Sequence, residues 1–576
     1  LNSSSRRWTA ASRRWFGLRK TFLLLAAVFL LSRSFPAGAE QQESASCSLI
    51  KAECPDAEIR EIRISHEEVF TAGDDLPRLF PWRTLNRLHA DTGEDVIRRQ
   101  FLFSEGDRLD PDLIRETLRN LRTLDYFRDE RIECSLLEPG KVRVDVSLRE
   151  NWSLIPIFSV QGVDTAVAVT AGVTEQNLLG RGKNLSLWYR KGAEKGNTII
   201  EDAGGLRYVD PNILGSWYQT AWTLQKQETG EFLQAVAEHP FYSLETPWSF
   251  LVFGEHFRRK SRLIRNGRIA ADYEQQDDAG GIDFQVALTR CPPVVHRLGP
   301  TYQFTQRRIR EFRILSADMR DLERPADDTT SSLGIAYQRL GVDFVIEERI
   351  SRFDRREDFN LANDLDLRVA YSAEALGADE DEWLFSLSDV QGHAFRKGHF
   401  LFLEVSGEGA LGGGRLRNGV FSVGYDHYLQ DTFLDGGPFL HTLHWLGSFS
   451  YGTDLDVDRL LGLGYPNGLR GYERDAFTGD KRLLVSLEDR IFLARDLFGL
   501  VALGLLAFFD GGYVWDVGQA VDLADLRYDT GLGLRIALPA VAGPNILKLT
   551  WGFPLGSGAD PLGDYVFTVA TSADFG

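Results

Sequence analysis

The chain has 576 residues, with 65 basic against 83 acidic side chains, a formal net charge of −18 and 43% hydrophobic content. An acidic balance provides no broad phosphate-neutralising surface, so nucleic acid is not an expected partner. The hydrophobic content is too low for a bundle of membrane-spanning helices, but it suits a membrane β-barrel, whose strands are apolar only at every second residue.

Arg13, Arg14, Arg19 and Lys20 precede the apolar run from Phe22 to Leu31, and Ala37-Gly38-Ala39 then offers small residues for cleavage. That is the layout of a secretory signal peptide over residues 1–39, because about ten apolar residues are too few to span a bilayer. Ser12-Arg13-Arg14-Trp15-Phe16 leaves twin-arginine export open beside the general route. Residues 40–57 read as a polar linker. It holds Cys47 and Cys54, while Cys134 falls in an expected strand and Cys291 stands alone before Pro292-Pro293. In an oxidising compartment a Cys47–Cys54 bridge and two free thiols are equal alternatives. No metal is expected, since no C-x-x-C pair occurs and no His lies near these thiols.

Residues 58–150 read as strand, two helices, two strands. Ile59-Arg60-Glu61-Ile62-Arg63-Ile64 alternates, and the stretch from Thr84 to Phe103 has roughly helical spacing. Asp110-Pro111-Asp112 opens a better-marked helix, with Asp110 as N-cap, Pro111 in the first turn and an apolar stripe of Leu113, Ile114, Leu118, Leu121 and Leu124. Arg131 to Leu136, the Glu138-Pro139-Gly140 turn and Val142 to Val146 form a hairpin.

From residue 151 to 576 the texture changes to alternating segments separated by Gly, Asp and Asn. Leu532, Leu534, Ile536 and Leu538 alternate with Gly531, Gly533, Arg535 and Ala537; Leu547, Leu549, Trp551 and Phe553 alternate with Lys548, Thr550 and Gly552. A soluble sandwich would turn the apolar set inward. Small residues in the other phase, with interfacial Trp and Tyr, favour the reverse: apolar to lipid, small and charged to a wet lumen. The fold class is therefore mainly β, with a transmembrane antiparallel β-barrel of roughly 16 strands behind one small α/β domain.

Few groupings look chemical. Gly407 to Gly412 matches G-x-G-x-x-G, yet Gly413-Gly414-Arg415 and another alternating strand follow where a phosphate-binding helix would have to begin, so it reads as a hairpin turn. His441 and His444, three apart on a strand, face opposite sides and cannot share a metal. No nucleophile elbow or P-loop occurs, so neither an enzyme nor a cofactor is expected.

The informative cluster is near the C-terminus. Gly464-Tyr465-Pro466-Asn467-Gly468-Leu469-Arg470-Gly471-Tyr472 is a turn-rich loop with one Arg between apolar neighbours. The next two strands each carry an acid in lumenal phase, Glu488 and Asp510. Spacing alone leaves two alternatives, three separately solvated charges or a loop folded into the lumen so that Arg470 meets both acids. Leu469-Arg470-Gly471-Tyr472 resembles the V-R-G-F/Y loop motif of the BamA/TamA superfamily of outer-membrane assembly and secretion barrels. Phe508-Phe509-Asp510-Gly511-Gly512 resembles its F-x-D-x-G strand motif, and Ser486-Leu487-Glu488 its intervening acidic strand. Residues 58–150 are similar to a POTRA domain, and Glu175 to Gly180 and Asp210 to Gly215 resemble early barrel turns of the family.

The resemblance implies a loop-to-barrel clamp made by Leu469, Arg470, Gly471, Tyr472, Glu488, Phe508, Asp510 and Gly512. It implies a C-terminal insertion signal at Tyr565, Phe567, Val569 and Phe575, with Gly576 one residue past the usual terminal aromatic. It places the barrel in the bacterial outer membrane among its lipids and the POTRA domain in the periplasm. The implied function is insertion or translocation of unfolded or extended client polypeptides, through the POTRA edge strand and the barrel seam, with room for periplasmic accessory proteins. A single POTRA domain is fewer than the principal assembly and two-partner secretion barrels carry. A passive pore and a lipid-handling barrel are the alternatives.

Overall fold

The computed structural model describes residues 45–571 apart from 72–80, 164–165, 196–197, 291–292, 320–321, 354, 431–438, 498–499, 540–545 and 557–564. The expected signal segment 1–39, Cys291 and Phe575 lie outside the described residues.

The N-terminal domain runs through α1 (Ala45–Glu53), β1 (Glu58–Glu67), α2 (Trp82–Leu88), α3 (Glu94–Arg98), α4 (Pro111–Thr123), β2 (Phe127–Glu138) and β3 (Lys141–Glu150). α4 starts at the expected cap, where the Asp110 carboxylate accepts from the Asp112 amide at 2.9 Å and Pro111 takes the first turn at no cost in hydrogen bonds. β3 is the central strand, parallel to β1 and antiparallel to β2. Its apolar phase of Val142, Val144, Val146 and Leu148 is fully buried with Ile59, Ile114, Leu118 and Leu121. The helical stretch expected from Thr84 to Phe103 is split into α2 and α3. The intervening Gly93 amide donates instead to the Gly180 carbonyl of a barrel turn at 2.8 Å.

The stretch read as a linker contains α1. Its Cys47 is fully buried and bridged to Cys134 of β2, across 87 residues, while Cys54 is a free thiol. This corrects the Cys47–Cys54 alternative: α1 lies against β2, and Ser46 Oγ accepts the Cys134 amide at 3.0 Å, so the long-range neighbour outcompetes the local one.

Among the described residues, twenty antiparallel strands close the barrel, from Leu154–Val163 round to Val566–Thr571. The expectation of roughly sixteen is corrected. It assumed long connections at one end, whereas several turns need only two residues, as at Asn266-Gly267, Lys397-Gly398 and Gly413-Gly414. Positive φ at Asn266 and Gly267 (46° and 73°) is what a tight two-residue hairpin demands.

The strands face as the sequence pattern requires. Leu532 is 64% exposed on the outer surface, while Arg535, in the opposite phase, is 2% exposed inside. Phe421, Val423, Trp445, Leu487 and Trp551 are likewise exposed outward. A belt of outward Leu, Val, Phe and Trp is stable only against an apolar surrounding. The barrel end that carries the N-terminal domain is called proximal below, and the other end distal.

Candidate functional site in the barrel lumen

The distal connection between the strands Leu440–Thr453 and Lys481–Leu497 folds inward, stiffened by a small hairpin of Leu461–Leu463 with Phe477–Gly479. At its turn the backbone lies directly on the inner wall. A Cβ added at Gly552 would stand 2.5 Å from the Arg470 carbonyl, and one at Gly471 would stand 2.7 Å from Asp529 Cβ, so both contacts require glycine. Leu469 is fully buried with Leu463 and Leu484, and Leu463 in turn sits against Gly512. Tyr472 Oη donates toward the Tyr528 and Leu555 carbonyls, 3.2 Å from each, pinning the loop to two further strands.

This scaffold delivers the Arg470 guanidinium to the wall. Nε donates to Asp510 Oδ2 and Nη2 to Oδ1, both at 2.8 Å, which makes a bidentate pair. Nη1 donates to Glu488 Oε2 at 2.6 Å, Nη2 reaches Ser486 Oγ at 3.1 Å, and the guanidinium stacks 3.7 Å above the Phe508 ring. Asp510 is wholly buried. Of the two alternatives left by spacing, the joined one is present: the structure brings together all eight expected clamp residues. Asp529, buried and directly across from Asp510, was not singled out, although it shares the inward phase of Gly531, Gly533 and Arg535. Tyr565, Phe567 and Val569 lie apart from this site on the outer face of the last strand and its entry, with Phe567 against Trp551 at 4.8 Å.

A second insertion enters from the proximal side and has no counterpart in the expectations. The connection between the strands Asp328–Gly341 and Asp364–Ser372 forms its own hairpin, Phe344–Glu348 with Arg356–Asn360. Its tip crosses the lumen. Arg490 Nη1 donates to the Ile350 carbonyl and Arg535 Nη2 to the Ser351 carbonyl, both at 2.7 Å, and Thr442 Oγ1 donates to the Arg349 carbonyl at 3.0 Å. Phe353 packs edge-on to Phe492, with Ala502, Ala537 and Ile546 around it. These partners are inward residues of strands far round the barrel from the hairpin's own roots. One wall strand meets both insertions: Glu488 takes Arg470 of the distal loop on Oε2 and its strand neighbour Arg490 on Oε1, each at 2.6 Å, and Arg490 is the residue that holds the hairpin's Ile350 carbonyl.

A third polar centre sits where the N-terminal domain leads into the barrel. Alternation along β3 carries Glu150 into the buried phase. Burial pushes its carboxyl up, but hydrogen bonds from His66, His89 and the Thr92 amide outweigh burial and bring it down to about 2. The bond to Glu150 in turn raises the His66 imidazole. His89, Asp91 and Glu150 bring ligand atoms within 4.8 Å of one another, the described group closest to a metal-ligand set. There, however, Glu150 is already committed to His66, His89 and Thr92. The expected H-x-x-H pair is divided as anticipated, His441 going to Asp489 at 3.1 Å and His444 to Asp426 at 2.7 Å.

No family model matches the chain, and no curated protein does. Among solved structures it is similar to BamA from Haemophilus ducreyi lacking POTRA domains 1–3, with 12% identity and a TM-score of 0.39 over 89% of this chain and 84% of that one. It is similar to CdiB from Acinetobacter baumannii, with 12% identity and a TM-score of 0.43 over 89% and 73%. CdiB from Escherichia coli has 13% identity and a TM-score of 0.44 over 90% and 76%.

Proposed function

We propose that the protein is an outer-membrane barrel that assists the insertion or translocation of other polypeptides without bond chemistry, its N-terminal domain acting as a periplasmic POTRA module. The observation that carries this reading is the Arg470 clamp. A loop arginine held bidentately by Asp510 and again by Glu488 joins the residues through which the sequence resembles the BamA/TamA barrels. An extended client would pair with a free stretch of sheet edge in the N-terminal domain, where unpaired backbone groups give affinity for many sequences. It would then meet the seam between the last strand, described over Val566–Thr571, and the first. The passive-pore alternative is disfavoured by the hairpin that crosses the lumen.

Depletion of the protein followed by quantitative proteomics of the outer membrane tests this reading. The expected outcome is a selective fall in a set of outer-membrane or secreted proteins. An unchanged proteome together with a large, voltage-independent conductance of the purified protein would return the reading to a pore, and a lipid-asymmetry defect with normal protein assembly would return it to lipid handling.

A further inference from the structure

The ends of β1 and β3 and the chain that leaves α2 meet at one point. His66 stands next to last in β1, Glu150 ends β3, and His89 caps α2, where its amide donates to the Leu85 carbonyl. The His89 and Glu150 side chains are each only 3% exposed. Asp91, two residues on, is open to solvent, and ligand atoms of His89, Asp91 and Glu150 all lie within 4.8 Å of one another.

The bonds to Glu150 divide between its two oxygens. Oε1 accepts from the Thr92 amide at 2.8 Å and from His66 Nδ1 at 3.3 Å, whereas Oε2 meets His89 Nε2 at 2.7 Å. The first two bonds hold the carboxylate in place, in the manner of the outer partners that orient a metal ligand. Oε2 is left with an imidazole nitrogen and one proton between them, and with a second carboxylate close by. Among the described residues no hydrogen bond or ion pair engages the Asp91 carboxylate. Two carboxylates so close repel unless a cation stands between them. One imidazole and two carboxylates are a donor set that suits Zn2+, whose bonds of about 2.0–2.2 Å would set these atoms about 3.4 Å apart. Starting within 4.8 Å, they need little more than an ångström of closure from a loop with solvent on one side. That loop is also fixed to the barrel: Thr92 Oγ1 accepts from Asn177 Nδ2, and the Gly93 amide donates to the Gly180 carbonyl, both at 2.8 Å.

We propose that His89, Asp91 and Glu150 form a Zn2+ site, with Glu150 oriented by His66 and Thr92 and a water in the fourth position, and that the metal locks the N-terminal domain against the first proximal turn of the barrel. The metal takes the place of the proton between His89 and Glu150 and gives Asp91 a partner. Such a lock is independent of what the barrel carries.

The test takes the purified full chain in detergent, freed of any affinity tag and stripped with EDTA. It is titrated with Zn2+, followed by the heat of binding, and with Co2+, followed by the visible absorption of a four-coordinate site. One equivalent of Zn2+ is expected to bind saturably, and affinity should fall at least about tenfold in Asp91→Asn and in Glu150→Gln. Asp91→Asn is the decisive variant, because an exposed side chain that bonds nothing in the fold can be changed without unfolding the domain. His427→Ala is the control, since His399 and His427 approach to 2.8 Å on the barrel and offer a metal another pair of imidazoles. No binding, equal binding by the wild type and Asp91→Asn, or binding lost in His427→Ala overturns the site. Hydrogen exchange reads the lock. With Zn2+ the amides of residues 89–93 and 177–182 are expected to exchange more slowly in the wild type and at an unchanged rate in Asp91→Asn. Slowing confined to 89–93 overturns the lock and leaves the metal site standing.

Discussion

β3 of the N-terminal domain and the barrel strand Arg527–Ala537 follow the same alternating rule and point it in opposite directions. In β3 the apolar phase of Val142, Val144, Val146 and Leu148 is buried and Lys141, Arg143 and Asp145 face outward. In the barrel strand Leu532 faces out at 64% exposure, while Gly531, Gly533 and Arg535 are buried inside. Period-two alternation specifies a strand in either setting but not which face is dry. The other phase decides. Long charged side chains that water can solvate mark a sheet with an apolar core, whereas glycines that let a loop lie on the wall mark a lumen. The cost of burying charge differs accordingly. The domain buries a carboxylate at Glu150 and meets it with histidines. The lumen buries Asp510 and meets it with an arginine delivered by a loop, Arg470.

The largest effect expected from breaking this contrast is at Arg470. Arg470→Ala leaves Asp510 buried without its bidentate partner and should cost about 3–5 kcal/mol of barrel stability, read as loss of the heat-modifiable gel shift at lower temperature. Arg470→Lys, which keeps the charge but cannot make the fork, should fall between. Next is the domain core, where Leu118→Ala should cost about 2–5 kcal/mol in thermal unfolding through the cavity it leaves. The Glu150 centre should respond to acid. Its folded pKa of about 2 lies below its ordinary 4.5, so its contribution is full above about pH 4.5 and disappears as pH falls toward 2, a loss on the order of 2–3 kcal/mol. The raised His66 acts in the opposite sense, its share being full below its ordinary 6.5 and lost as pH rises through the raised value. A Glu150→Gln variant that melts with an unchanged acid slope would show that another group sets it. The smallest effect belongs to the barrel's outer face. Leu532→Ala should change stability in detergent by less than about 1 kcal/mol, because no packed cavity forms. A cost equal to that of Leu118→Ala would erase the contrast.

The clamp was legible because its residues are local. Leu469 to Tyr472, Glu488 and Asp510 each carry their phase or motif within a few positions, and only their meeting in space had to be supplied by the fold. Strand identity was legible for the same reason, but strand number was not. Two-residue turns such as Lys397-Gly398 leave almost no polar punctuation, so neighbouring strands run together in the sequence. The lumen hairpin was illegible on other grounds. Phe344–Glu348 and Arg356–Asn360 alternate like any strand pair, and nothing local says that Phe353 will find Phe492 rather than lipid or solvent. The Cys47–Cys134 bridge and the His66–Glu150–His89 centre were hidden by distance along the chain, since partners brought together by a sheet leave no spacing rule to read.

Glu488 has two oxygens, and each has its own arginine: Arg470 of the distal loop, and Arg490 of the wall, which also holds the Ile350 carbonyl of the proximal hairpin. Arg490 belongs to the wall, two residues from Glu488 on the same strand, so loss of the hairpin would free only its Nη1 from the Ile350 carbonyl and leave the pair with Glu488 in place. Distal loop and proximal hairpin are braced against one fixed strand, not against each other.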